Sequence, residues 1–192
     1  MGWRSQPMAF LLQPEMRIIA GALRGKRLQG PPPSDRAVRP TSDRAREALF
    51  SILEPLPRRA FLDLFAGTGA VGLEAWSRGH APVTCVESAP AALKLLRANA
   101  AGTSLAIVPA DAVRLRPGAF HDLGLVFADP PYATSTQILA RMAPLIRGWL
   151  AADGWLVWES PAAAEIALPE GFRRLDQRSY GSAAFHFLAP SS

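Results

Sequence analysis

Apolar positions along the chain follow two rhythms, short apolar runs of strand length and longer stretches with apolar residues at helical spacing. Phe61-Leu62-Asp63-Leu64 is such a run, and it passes through the small residues Ala66-Gly67-Thr68-Gly69 into Leu73-Glu74-Ala75-Trp76, the pattern of strand, tight turn and helix. Pro82–Glu87, Leu105–Val108, Leu123–Ala128 and Trp155–Glu159 predict four further strands. Between them, a helix from a Ser88 cap to Asn99 carries Leu93 and Leu96 on one side and stops near Gly102. Ile138, Leu139, Met142, Leu145, Ile146, Trp149 and Leu150 predict another helix, kinked or broken at Pro144. Phe172–Arg178 and Ala183–Leu188 read as a closing hairpin. Strands alternating with helices imply an α/β fold with a mostly parallel sheet covered on both faces.

The N-terminal quarter has a different pattern. Arg17–Gly21 and Leu23–Leu28 predict two short strands of a basic β-hairpin, and Gly30-Pro31-Pro32-Pro33 begins a stiff extended linker. After Arg39-Pro40 a helix can start at Thr41 or Ser42, with an apolar stripe of Ala45, Ala48, Leu49, Ile52 and Leu53 that Arg44 faces away from and Arg46 borders. Pro55 and Pro57 end it. The expected organisation is a leader over residues 1–15 outside the fold, a hairpin and proline linker over 16–38, and the main domain with its N-terminal helix over 39–188.

Composition narrows the setting. No apolar run approaches the ~20 residues of a membrane span, so the chain is expected to be soluble; its lack of a cysteine pair suits the cytoplasm, and a monomer is expected. A single cysteine, Cys85, rules out a disulfide within the chain, and the three scattered histidines give no ligand spacing, so no metal is expected. Charge is segregated. Residues 16–60 hold ten Lys and Arg against four acids, a net +6 within a total of +5, so the remainder is close to neutral. A basic block ahead of a near-neutral domain suits a polyanion, and Arg17, Arg24, Lys26, Arg27, Arg39 and Arg44 are its candidate RNA contacts.

Gly67-x-Gly69-x-x-Gly72 matches a dinucleotide fingerprint, but Asp63 just ahead of it would repel a pyrophosphate. S-adenosylmethionine has no phosphate and carries a cationic sulfonium and amino group, so it fits better. Glu87, 20 residues after Gly67, stands where a carboxylate meets ribose hydroxyls, and Asp111 can accept from the adenine amine. Phe65, Ala66, Gly67 and Gly69 complete the candidate cofactor loop, with Asp129 facing the same ligand.

Asp129-Pro130-Pro131-Tyr132 follows the fourth strand. The Asp129 carboxylate and the Pro130 carbonyl can accept the two hydrogens of a base's exocyclic amine and aim its lone pair, while Tyr132 offers a stacking face. Glu159, ending the fifth strand, could border the same cleft.

These segments resemble the RsmD-type family of 16S ribosomal RNA guanine-N2 methyltransferases, from Met16 to about Leu188. The resemblance rests on Arg17-Ile-Ile-Ala-Gly21, the block Arg39-Pro-Thr-Ser-Asp-Arg-Ala-Arg-Glu-Ala-Leu-Phe50, Asp63 to Ala75, Asn99 and Asp129 to Tyr132. It implies a class I S-adenosylmethionine-dependent, Rossmann-like fold of seven strands with the last antiparallel. It also implies transfer of a methyl group to N2 of one guanine of 16S rRNA, the guanine(966) site, in an assembled or assembling small ribosomal subunit. Two other readings fit the same residues, a DNA amino-methyltransferase and a non-catalytic RNA-binding assembly protein.

Overall fold

The computed structural model describes residues 16–31 and 43–191. The leader, most of the proline linker, Arg39 and the expected helix cap at Thr41 or Ser42 lie outside them. Helix α1 (Asp43–Leu53) leads into β1 (Phe61–Leu64), α2 (Ala70–Ser77), β2 (Val83–Glu87), α3 (Pro90–Asn99), β3 (Ala106–Pro109) and β4 (Leu123–Ala128). Then come α4 (Ser135–Trp149), β5 (Leu150–Pro161), β6 (Phe172–Tyr180) and β7 (Ala183–Pro190). The seven strands form one sheet in the order β3-β2-β1-β4-β5-β7-β6, with β7 antiparallel to both neighbours.

Alternation along the strands sorts the core into two layers. Phe61, Phe127, Val157 and Phe185 pack with Leu49, Phe50 and Leu53 of α1, Leu73 of α2 and Leu96 of α3. Leu62, Leu64, Val126 and Trp158 face the other way, against Leu139, Met142, Ile146 and Trp149 of α4. Each fully buried side chain of this size contributes ~1.5–3 kcal/mol, so the two layers dominate stability. The chain winds to one side of β1 through β2 and β3, then crosses to β4 and β5 on the other. Such a reversal opens a crevice at the carboxyl ends of β1 and β4, the usual ligand position in an open α/β sheet.

Three local expectations are corrected. Pro144 does not break α4, which runs unbroken through it. The proline is exposed, so the carbonyl deprived of its N–H partner faces water, while Met142, Ala143 and Ile146 hold the inner face. Ser88 is not the cap of α3; Ala89 holds that position without a side-chain bond, and the Glu87 carboxylate takes the N–H groups of Ser88 and Ala89 at 2.7 Å each.

The third correction concerns the basic hairpin. In place of two strands there is a single antiparallel bridge, Arg17 to Arg27, with three flanking backbone bonds. The ladder is absent because its donors are used elsewhere. Ile19 and Ala20 N–H donate to the Glu74 carboxylate at 2.7 and 3.0 Å, Leu23 N–H to Ser77 Oγ at 2.8 Å, and Gln29 N–H to Asn99 Oδ1 at 2.8 Å. Met16, Ile18 and Leu28 are buried in the first core layer, so the segment is fastened onto α2 and α3 as part of the domain.

Candidate active site

The crevice is built by the carboxyl ends of four parallel strands and the loop after β1. Phe65 in that loop has φ of 63°, a strained conformation for a residue with a Cβ. Gly67 also has a positive φ, 56°, and a Cβ there would meet nothing within 4 Å, so this glycine borders open space. Gly69 serves packing instead. Its φ of 81° favours glycine, and a Cβ there would stand 2.3 Å from Leu96 Cδ1 of α3, which would have to shift.

Several N–H groups of the loop and of the start of α2 are taken by the protein's own acids and carbonyls. Gly67 N–H donates to Glu87 Oε2 at 2.8 Å, Gly72 N–H to Asp63 Oδ2 at 2.8 Å, and Ala66 N–H to the Val86 carbonyl at 3.0 Å. A phosphate arriving at this loop would therefore meet carboxylates where a dinucleotide site presents donors. Asp63 is almost wholly buried beneath the loop with Cys85 beside it, and burial pushes its carboxyl up to about 7, with the Glu87 charge adding to the shift. Asp111, after β3, accepts from Val113 N–H at 3.1 Å and stands 3.4 Å from Arg114 Nε at the surface.

Asp129 follows β4, and Glu159 lies near the end of β5. Phe127 is in register with Val157 and Ala128 with Trp158, so one step further Asp129 and Glu159 stand side by side. Burial drives the Asp129 carboxyl well above the usual range, and the neighbouring charges of Glu159 and Asp63 reinforce the shift. Tyr132 is 40 % exposed at the mouth of the crevice, and its hydroxyl donates to Glu159 Oε1 at 3.2 Å. Pro130 is buried and Pro131 exposed, and the Pro131 carbonyl accepts from Thr134 N–H at 3.0 Å to start α4. Glu159 is itself held: Ser135 Oγ, at the start of α4, donates to its carbonyl at 3.5 Å and accepts from Trp158 Nε1 at 2.9 Å.

The basic candidates divide into two groups. Arg17, Arg24, Arg27 and Arg44 are exposed. Lys26 is turned inward, its ammonium donating to the carbonyls of Asn99 at 2.7 Å and Ala101 at 3.3 Å beyond the end of α3.

Sequence reasoning missed two polar centres. Arg46, placed at the border of an apolar stripe, is wholly buried; it bonds Asp43 Oδ1 at 2.9 Å and the Arg17 carbonyl, and lies 3.8 Å from the equally buried Glu74. Asn99 donates to the carbonyls of Thr68 in the glycine loop at 3.0 Å and of Gln29 at 3.1 Å, tying the N-terminal segment to the loop. Glu74 in the middle of an otherwise apolar helix segment was the available sign of the first. No sequence spacing links Asn99 to Thr68 or Gln29.

Among the described residues no cluster of His, Cys, Asp or Glu could hold a metal ion, and no helix is long and apolar enough to cross a membrane. The acids at the ends of β1, β2, β4 and β5, with Gly67 N–H already given to Glu87, fit a cationic ligand such as S-adenosylmethionine.

Comparison with known proteins agrees with this geometry. The family model described as Conserved hypothetical protein 95 matches residues 16–189. Ribosomal RNA small subunit methyltransferase D of Escherichia coli is 38 % identical over 154 residues, 76 % of this chain and 75 % of that protein. The protein of the same name from Haemophilus influenzae is 28 % identical over 179 residues, 89 % of this chain and 92 % of its own length. The solved structure of yhhF from Escherichia coli superimposes with a TM-score of 0.78 at 30 % identity, covering 92 % of this chain and 98 % of that one. With its seven-stranded sheet and the fold of class I methyltransferases, the chain belongs to the ribosomal RNA small subunit methyltransferase D family.

Proposed function

We propose that the protein is an S-adenosylmethionine-dependent rRNA methyltransferase that modifies the exocyclic N2 of one guanine of 16S rRNA, the guanine(966) site by resemblance, in an assembled or assembling small subunit. The observation that carries the reading is the Asp129–Tyr132 turn beside an acid-lined glycine loop, in a chain of this family. Glu87, anchored by three N–H groups, presents its carboxylate at the end of β2, where ribose hydroxyls would reach it. Asp111 stands at the end of β3 for the adenine amine. Asp63 lies beneath the loop and contributes negative charge to the cationic end of the ligand.

S-adenosylmethionine supplies the methyl group on a sulfonium, so that the amine lone pair forms the N–C bond as the C–S electrons go to sulfur. Asp129 and the Pro130 carbonyl orient the amine, and Asp129 receives the proton lost as the bond forms. A planar base rests on the exposed ring of Tyr132, a contact worth ~1–3 kcal/mol. The target must be unstacked or single-stranded to reach Asp129. The exposed arginines of the N-terminal segment and α1 hold the phosphate backbone, offsetting the repulsion an acidic crevice exerts on RNA. The reaction is set in the cytoplasm.

Incubating purified protein with labelled S-adenosylmethionine and small-subunit particles, followed by nucleoside mass spectrometry, tests the reading. N2-methylguanine is the expected product. A methyl group on adenine N6 or cytosine N4, or none on any RNA, would reject it.

A further inference from the structure

The structure places a second carboxylate next to Asp129, and the transfer chemistry described above does not use it. Glu159 is 3 % exposed, a degree of burial that acidic side chains rarely reach without a specific reason. Its position follows from the sheet. Val157 of β5 pairs with Phe127 of β4, both belong to the core layer beneath α1 and α2, and alternation carries Glu159 and Asp129 to that same face. Phe185 of β7 sits directly opposite Glu159 and closes its far side. The Tyr132 hydroxyl donates to Oε1 at 3.2 Å, so the ring that offers a stacking surface is tied by its polar end to this carboxylate. A base laid on that ring brings one edge to the carboxylate pair.

We propose that Glu159 is a specificity-determining residue of the transfer site: it accepts the ring N1–H of guanine while Asp129 accepts a hydrogen of the neighbouring exocyclic amine. This rests on the guanine-N2 reading and extends it to how the base is chosen. Guanine presents two adjacent donors on this edge, N1–H and the N2 amine. Adenine and cytosine each present an amine next to a ring nitrogen that is an acceptor. Against two carboxylates the first pattern is matched at both points, whereas the second opposes a nitrogen lone pair to carboxylate lone pairs and leaves both without a hydrogen. An ionised carboxylate has about four acceptor positions, so accepting from Tyr132 does not exhaust Glu159. Repulsion between the two acids in the ligand-free enzyme is relieved by two donors and a cationic cofactor. An acceptor nitrogen would leave that repulsion in place. Sites built to bond an N–H reject analogues lacking it by ~10⁴–10⁵, and less where water can enter.

The test uses 2-aminopurine, which keeps the amine on C2 but has an unprotonated ring N1, placed by ligation in small-subunit RNA at the guanine that the wild-type protein methylates. Wild-type protein should methylate guanine at least ~100-fold faster than 2-aminopurine in single-turnover reactions, in line with the loss of one aimed N–H bond. Glu159→Gln keeps the side-chain shape and an oxygen for Tyr132, and its NH2 can serve a ring acceptor. It should narrow that ratio at least ~10-fold while S-adenosylmethionine affinity and melting temperature stay close to wild type. Equal rates on the two bases with wild-type protein would overturn the proposal without any variant, as would a folded Glu159→Gln that keeps the full ratio. If Glu159→Gln fails to fold, the wild-type comparison decides alone. A wild-type product other than N2-methylguanine is seen in the same mass spectra and removes the underlying reading instead.

Discussion

Asp63, buried, and Asp129, half-buried, are two carboxyls with the same direction of shift and opposite consequences for pH. Both hold their protons more tightly than a free aspartate, chiefly because burial penalises the charged form. Asp129 must be ionised to accept from the amine, so kcat/KM should fall as pH drops through its raised pKa, with no loss of fold. Asp129→Ala should remove that limb of the profile and lower the single-turnover rate ~10²–10³-fold with cofactor affinity near wild type. For Asp63 the sign applies to stability. Its folded pKa of about 7 lies above the ~3.9 of a free aspartate, so its contribution is complete below the free value and is lost as pH rises through about 7. Chemical denaturation across that range should show the ligand-free protein weakening as Asp63 ionises. A flat pH–rate profile with intact fold would remove Asp129 from the chemistry.

At the scale of elements, the chain's periodicity made the framework legible and its polar joints illegible. Phe61–Leu64, Val83–Glu87 and Leu123–Ala128 stand out because strands buried on both faces are continuous apolar runs, and Gly67 and Gly69 mark the turn. The acids ending β1 and β2 were legible for the same reason, since a strand end is a position in sequence. Glu159 was harder because its meaning depends on which strand lies beside β5. The fastening of the N-terminal segment depends mostly on partners 50 to 75 residues away, as in Ile19 with Glu74 or Lys26 with Ala101, with Arg46 holding the Arg17 carbonyl from 29 residues away. Local propensity read that segment as a hairpin, and α2 offered its donors better acceptors. Glu74→Ala should therefore leave buried Arg46 with Asp43 as its remaining acidic partner and leave the Ile19 and Ala20 N–H groups without their acceptor, costing ~3–5 kcal/mol as for a broken buried ion pair. Thermal denaturation should show a drop of roughly 6–20 °C for a domain of this size. A change under 2 °C would mean water replaces the carboxylate at little cost.

For the whole molecule, charge arithmetic along the chain overstates the exposed positive surface proposed to meet RNA. Of the ten cations in residues 16–60, Arg36 and Arg39 lie outside the described residues, Lys26 is turned to the end of α3, Arg46 is buried, and Arg58 and Arg59 are paired with Glu54 and with Asp122 and Asp153. Arg17, Arg24, Arg27 and Arg44 remain exposed. Replacing these four by Gln should lower the slope of log affinity against log salt by ~0.7 per lost phosphate contact on single-stranded RNA, whereas Lys26→Gln should leave the slope and lower stability. Salt titrations of RNA binding distinguish the two, and an unchanged slope in the fourfold variant would move the RNA surface elsewhere. The sheet itself carries a separate consequence. It is open, and an open sheet offers two template edges on which another chain could grow a filament. At one edge β3 is only four residues long and ends in Pro109, which has no N–H to offer. At the other, β6 presents Arg173, Arg174 and Arg178 and slips register between Arg174 and Asp176, so an incoming strand would meet like charge and a broken ladder. One edge is blunted by Pro109 beside Glu87 and the other by the β6 arginines at the far side of the sheet, a guard against self-templating that leaves the ends of β1 and β4 free to be acidic.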